Sequence, residues 1–213
     1  MPAHFAAQKN DIEVLKLTAD EDGSPIDKQD EVSWIKFPAS FCLWQKREFD
    51  DVSQYGETPL HQAAHKGCAQ AVDLLINYLK ANVTTQNIVW CQNISLKFPF
   101  VKSGMCSLQV GNTPLHIAAY RGHATIVELL TRSNSTVAKA KNHEGDTPLH
   151  LAASGGHAKV VEKLLQEDSD VVNAQNFKGR TPLHEAAESA SESVIRLLMK
   201  ARNTDHAIKD SVS

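Results

Sequence analysis

The chain has 213 residues, with 22 Lys and Arg against 25 Asp and Glu, a net charge of −3 and 42% hydrophobic residues. It is long enough for a sizeable core, and its charge balance argues against a basic nucleic-acid surface or an anionic-membrane surface. The N-terminal stretch MPAHFAAQKNDIEV lacks the basic start and apolar core of a signal peptide, and no run approaches the ~18 apolar residues that span a bilayer. The expectation is therefore a cytoplasmic protein, with the nucleus as the alternative, without membrane insertion. Cys42, Cys68, Cys91 and Cys106 form no CxxC pair, so reduced thiols are expected.

In chain order, the first element is MPAHFAAQKN, a degenerate copy of a frame that recurs downstream, with Val14, Leu15 and Leu17 in its apolar places. It opens a first unit at about 1–31, which closes on an acidic run, Asp20 to Glu31, read as a solvated loop. Segment 32–54 interrupts the pattern. A second unit (55–88) carries TPLHQAAHKG, and a second interruption (89–109) follows it. Units three to five (110–142, 143–176 and 177–210) carry TPLHIAAYRG, TPLHLAASGG and TPLHEAAESA. Four copies of TPLH in one frame mark an internal repeat.

Each unit reads as two short helices. Thr58, Thr113, Thr147 and Thr181 suit the N-cap, and Pro59, Pro114, Pro148 and Pro182 suit the first helical position, where a missing N–H costs nothing. The Ala-Ala pairs at 63/64, 118/119, 152/153 and 186/187 allow close helix approach. Gly67, Gly122 and Gly156 suit the left-handed residue that ends the first helix. Asn10 can take that place in the first unit, and Ala190 takes it poorly in the last. The second helix has an apolar face at helical spacing, as in Val160, Val161, Leu164 and Leu165. One pair cannot bury that face alone, so units must stack.

The motif TPLHxAA and the 34-residue intervals between Pro114, Pro148 and Pro182 resemble the ankyrin repeat. The resemblance covers about four fifths of the chain and implies an all-α solenoid of five units, with short β-hairpin loops between helix pairs. It also implies a concave surface, lined by loops and first helices, that binds another protein. Contacts would lie beside the junction glycine and before the helix-ending glycine. In this sequence those positions are Tyr55, Glu57, His65, Lys66, Val110, Asn112, Tyr120, Arg121, His143, Glu144, Asp146, Phe177, Lys178, Arg180 and Glu188, with the smaller Ser154, Gly155 and Ser189. Tyr120, Arg121 and Phe177 are of the types most often found at hot spots.

His61, His116, His150 and His184 close the four TPLH motifs on successive units about 10 Å apart, too far to share one zinc ion. The resemblance instead gives them the role of tying one unit to the next. There is no nucleophile motif, P-loop or GxGxxG. No cofactor and no metal site are expected, and the chain is expected to be a monomeric, non-enzymatic scaffold or adaptor. The alternative is an ankyrin part of a larger protein whose effector domain is a signalling enzyme, channel or transcriptional regulator.

The two interruptions differ from the array in composition. Eight of the 13 aromatics, including Trp34, Trp44 and Trp90, and three of the four Cys fall within them. The Pro-to-Pro intervals spanning them are 57 and 55 residues, which exceed 34 by 23 and 21, the lengths of 32–54 and 89–109. Both lie just before the junction glycine, Gly56 or Gly111, at a hairpin tip. Each begins with Val and ends with Gln, whose codons can begin with GT and end with AG like a spliced intron. Two readings stand: genuine loop insertions, which cost little entropy, or introns translated in frame.

Overall fold

The computed structural model describes residues 8–10, 57–87 and 111–211. Most of the first unit, both interruptions, Tyr55, Gly56 and Val110 lie outside the described residues.

The four TPLH copies each start a helix. Thr58, Thr113, Thr147 and Thr181 have extended backbone, and Pro occupies the first helical position that follows. The first helices are α1 (Pro59–Lys66), α3 (Pro114–Arg121), α5 (Pro148–Ser154) and α7 (Pro182–Glu188). Each is followed by an antiparallel partner: α2 (Ala69–Asn77), α4 (Ala124–Ser133), α6 (Ala158–Glu167) and α8 (Glu192–Lys200). Short 3₁₀ turns at Ser135–Lys139 and Ser169–Asn173 lead out of α4 and α6. No strand occurs among the described residues, so the loops are hairpins in chain path and turn bonding only.

First helices stack on first helices and second on second, which makes a two-layered row. The alanine pairs set the spacing: Ala63, Ala64, Ala118, Ala119, Ala152 and Ala153 are completely buried. Leu60, Leu115 and Leu149 fill the space beneath them, with Val72, Val127 and Val161 from the second layer. The fold is thus an all-α repeat solenoid. On its outer side, Lys163 pairs with Glu128 at 2.5 Å and Lys139 with Asp168 at 2.8 Å, linking adjacent units, a small contribution at exposed positions.

Gly67 and Gly122 end their helices at φ 78° and 81°, and Gly156 has the same sign. The equivalents Asn10 and Ala190 also hold positive φ, at 57° and 52°. Asn tolerates this; for Ala190 it costs about 1–2 kcal/mol. The first unit docks through this turn, since Ala71 N–H donates to Asn10 Oδ1 at 2.9 Å, and the Cys68 thiol reaches the Gln8 carbonyl at 3.6 Å.

Candidate functional site: one face of first helices and hairpin tips

The face is held by the TPLH histidines. His116 Nδ1 lies 3.2 Å from Thr113 N and 2.8 Å from its hydroxyl, while Nε2 lies 3.0 Å from the Asp146 carbonyl in the next unit. A carbonyl only accepts, so Nε2 carries the proton and Nδ1 accepts. His61 and His150 repeat the arrangement, with Nε2 3.0 Å from the carbonyls of Asn112 and Arg180. Burial opposes charging of the ring at His116: it holds the imidazole down at about 4, from an ordinary value of 6.5, against the pull of the Asp146 carbonyl and carboxylate. Burial lowers His150 as well. Protonating Nδ1 would point a second N–H at that of the threonine. These imidazoles are neutral bolts between units.

A second set of bolts runs the opposite way. His157 Nε2 donates to the Tyr120 carbonyl at 2.8 Å, and His123 approaches the His65 carbonyl at 3.4 Å. Each ring lies against the preceding unit's helix-ending glycine, so a Cβ on Gly122 would meet His157 Nδ1 at 2.6 Å.

An asparagine ladder is the element that the sequence reading missed. Asn142 Oδ1 accepts from the amides of Glu144 and Asp146, both at 2.9 Å, and Asn176 does the same for Lys178 and Arg180 at 3.0 and 2.9 Å. Their amide groups then donate sideways, Asn142 to Asn112 Oδ1 at 3.0 Å and Asn176 to Asp146 Oδ1 at 2.8 Å. The signal was present: an Asn stands five residues before Thr147 and before Thr181.

This ladder corrects part of the expected contact set. Glu57, Asn112 and Asp146, placed after the junction glycine and expected at the binding face, are buried. Glu57 accepts from the Gln62 side chain, and Asn112 and Asp146 carry the ladder. Their physical task is to join hairpins, because a buried polar side chain at a tight junction must be hydrogen-bonded. Arg180 is half-buried and pairs with Glu185 at 3.5 Å and with Glu188. The Glu185 carboxyl is pushed up by burial, against the opposing pull of Arg180. Because Arg180 is a hairpin residue and Glu188 ends α7, the pair fixes hairpin and helix end on one face.

The remaining members are more open. Phe177 is 74% and Tyr120 38% exposed, and Lys66, Arg121, His143, Lys178 and Glu188 are exposed. His65 is half-buried and bonds the Arg121 guanidinium. The half-buried Glu144 takes Lys178 Nζ at 3.3 Å. The tips stack ring on glycine: a Cβ on Gly145 would meet Phe177 Cδ1 at 2.9 Å, and one on Gly111 would meet the His143 ring. Among the described residues, no three His, Cys, Asp or Glu side chains are grouped to hold a metal ion. No helix among them is long and apolar enough to cross a membrane.

Helix pairs stacked through Thr-Pro-Leu-His bolts and capped by sideways hairpins define a class of binding solenoid. The family model for ankyrin repeats in three copies matches residues 1–139, 96–172 and 115–210, and the chain belongs to the ankyrin-repeat family. It is similar to the ankyrin repeat-containing protein ITN1 of Arabidopsis thaliana, with 28% identity over 136 residues. The matched stretch is 64% of this chain and 19% of that relative, so the chain spans about a fifth of the length of the relative. Ankyrin repeats are in general protein-interaction modules, and the family is typically non-catalytic.

Proposed function

We propose that this chain is a non-enzymatic scaffold or adaptor that binds another protein in the cytoplasm or nucleus, as a monomer, through the face of hairpin tips and first-helix ends. The observation that carries this reading is the contrast within that face. Its backbone is fixed by buried histidines and asparagines, while Tyr120, Arg121, His143, Phe177 and Lys178 project from it. Rigid anchors lose little freedom on binding, which favours affinity. The face holds both signs of charge, with Lys66 and Arg121 towards one end and the pairs Lys178–Glu144 and Arg180–Glu188 towards the other, so it suits a partner of mixed charge.

The test is affinity capture with the chain, followed by binding measurements on the recovered partner. Tyr120→Ala, Arg121→Ala or Phe177→Ala is expected to weaken it tenfold or more, the loss of a hot spot, with an unchanged melting temperature. Binding that survives all three substitutions removes this face from consideration. A second reading, in which the array serves a longer polypeptide with an effector domain, rests on one observation: in ITN1 the similar stretch is a minor part of the protein.

A further inference from the structure

The chemistry of the binding face changes along the row of first helices. The residue just before each helix-ending position is Lys9, Lys66, Arg121, Gly155 and Ser189 in units one to five. Lys9, Lys66 and Arg121 are all exposed, and successive units are roughly 8–10 Å apart, so three cations stand in line over units one to three. Among the described residues of those units, no carboxylate shares the line: Asp73 and Glu128 lie on the second helices α2 and α4, and Glu57 is buried and accepts from the Gln62 side chain. The line then ends, because unit four has a glycine there and in unit five Ser189 follows Glu188, the last residue of α7.

One bond repeated from unit to unit fixes the line. The carbonyl of the residue before each cation is met by the next unit: that of Gln8 by the Cys68 thiol at 3.6 Å, that of His65 by His123 Nε2 at 3.4 Å and that of Tyr120 by His157 Nε2 at 2.8 Å. Asn10, next to Lys9, accepts from Ala71 N–H at 2.9 Å and donates its own amide to Gln70 Oε1 at 3.0 Å. Arg121 donates to His65 Nε2, which holds its guanidinium against unit two. The helix dipole favours a cation in a last turn by about 0.3–1 kcal/mol, but that applies equally to α5 and α7, whose last turns have none. The restriction of the cations to three adjacent units is therefore a property of the surface rather than of each helix.

We propose that the line of Lys9, Lys66 and Arg121 docks an acidic segment of the partner protein, with carboxylates roughly 8–10 Å apart and ending short of Glu188. This rests on the protein-binding reading given above and adds the chemistry of the partner. Charge complementarity identifies the occupant: three cations on a fixed backbone attract an anionic segment, and Glu185 and Glu188, which share Arg180, disfavour its continuation. Carboxylates fit the interval, since every third residue of a polyproline II segment returns to one side at about 9 Å, whereas a strand of duplex DNA carries a phosphate about every 3.4 Å of its axis.

The probe is a short peptide in which Glu recurs at every third position among Pro and Ser, titrated into the full chain at low salt. Its binding is expected to weaken about three- to tenfold with each of Lys9→Glu and Lys66→Glu, to weaken as salt is raised, and to be unchanged by Lys159→Glu on α6. Both lysine variants should melt like the parent, because the two side chains are exposed. A peptide that does not bind, binding that survives Lys9→Glu combined with Lys66→Glu, or a thymidine oligonucleotide of the same length bound more tightly than the peptide overturns the proposal. With the captured partner, weakening by Tyr120→Ala or Phe177→Ala but not by the two lysine substitutions overturns this proposal and leaves the binding face standing. Binding that survives all four removes the face as well.

Discussion

The hairpin at Asn142–Asp146 and the one that joins Asn87 to Asn112 close with the same pair of backbone bonds over different lengths of chain. In the first, Asn142 N donates to the Asp146 carbonyl at 3.0 Å and Gly145 N to the Asn142 carbonyl at 3.0 Å. In the second, Asn87 N donates to the Asn112 carbonyl at 2.9 Å and Gly111 N to the Asn87 carbonyl at 3.0 Å, although residues 89–109 intervene. Asn87 Oδ1 also accepts from Asn112 N at 2.7 Å, as Asn142 Oδ1 does from Asp146. The closure of a finger is therefore set by the asparagine, the glycine and the histidine bolt behind them, not by the sequence at the tip. A loop can be long there because each doubling adds only about 0.6 kcal/mol of closure entropy. Either origin for the interruption, loop or intron, is compatible with a stem that ignores it.

The comparison breaks most widely in acid, which attacks the bolts of both kinds of finger. His116 is depressed to about 4 from 6.5, so the unfolded chain binds the extra proton first. Stability from this residue is full above pH 6.5, falls as pH drops from there to about 4, and is flat below. The loss is on the order of 3 kcal/mol for a fully buried ring at ~1.4 kcal/mol per pKa unit. Urea melts at pH 7.5, 6, 5 and 4 check it. A His116→Ala chain should show a shallower decline, and His150→Ala should likewise lower stability at neutral pH. A His150→Ala chain that melted like the parent would remove the structural role assigned to these rings.

Asparagine replacements sharpen the comparison more directly. Asn142→Ala removes the oxygen that accepts from two backbone amides and a ladder bond, for an expected cost of about 2–4 kcal/mol. If the interrupted stem is equivalent, Asn87→Ala costs a similar amount in the same denaturant melt. A cost near zero would show that the long finger is held by something other than its stem.

Deleting residues 89–109 should leave helix content per unit unchanged and raise stability by about 1 kcal/mol through a shorter closure, read as a melting shift of a few degrees. Equal melting would mean that the segment is not foreign to the array. Sequencing the mature transcript decides its origin: a message that contains both coding stretches ends the intron reading. The smallest effect belongs to a position without a finger. Ala190→Gly should stabilise by about 0.5–1 kcal/mol, because alanine there is held at φ 52°.

Much of this was legible in the residues. TPLH in one frame located four helix starts, and the intervals of 34 gave the stacking period. The reading of His116 and its equivalents needed only their spacing, since groups one unit apart cannot converge. The contact face was less legible. Glu57, Asn112 and Asp146 stand at positions where the family varies, and variability reads as exposure. A buried ladder can vary too, provided each side chain offers an oxygen to its neighbour, and that condition joins residues 30 apart in sequence.

By itself the sequence determined the helix pairs, their caps and their order, because these follow from local chemistry repeated in register: a threonine to cap, a proline to start, an alanine pair to pack and a glycine to turn. The tertiary structure alone decided which polar residues face inward and which side chains are left to meet a partner. It also separated Ala187 from Ala153, which hold the same place in the TPLHxAA frame and are opposite in exposure. Burial of a repeat residue depends on the neighbouring unit, and no residue carries that information alone.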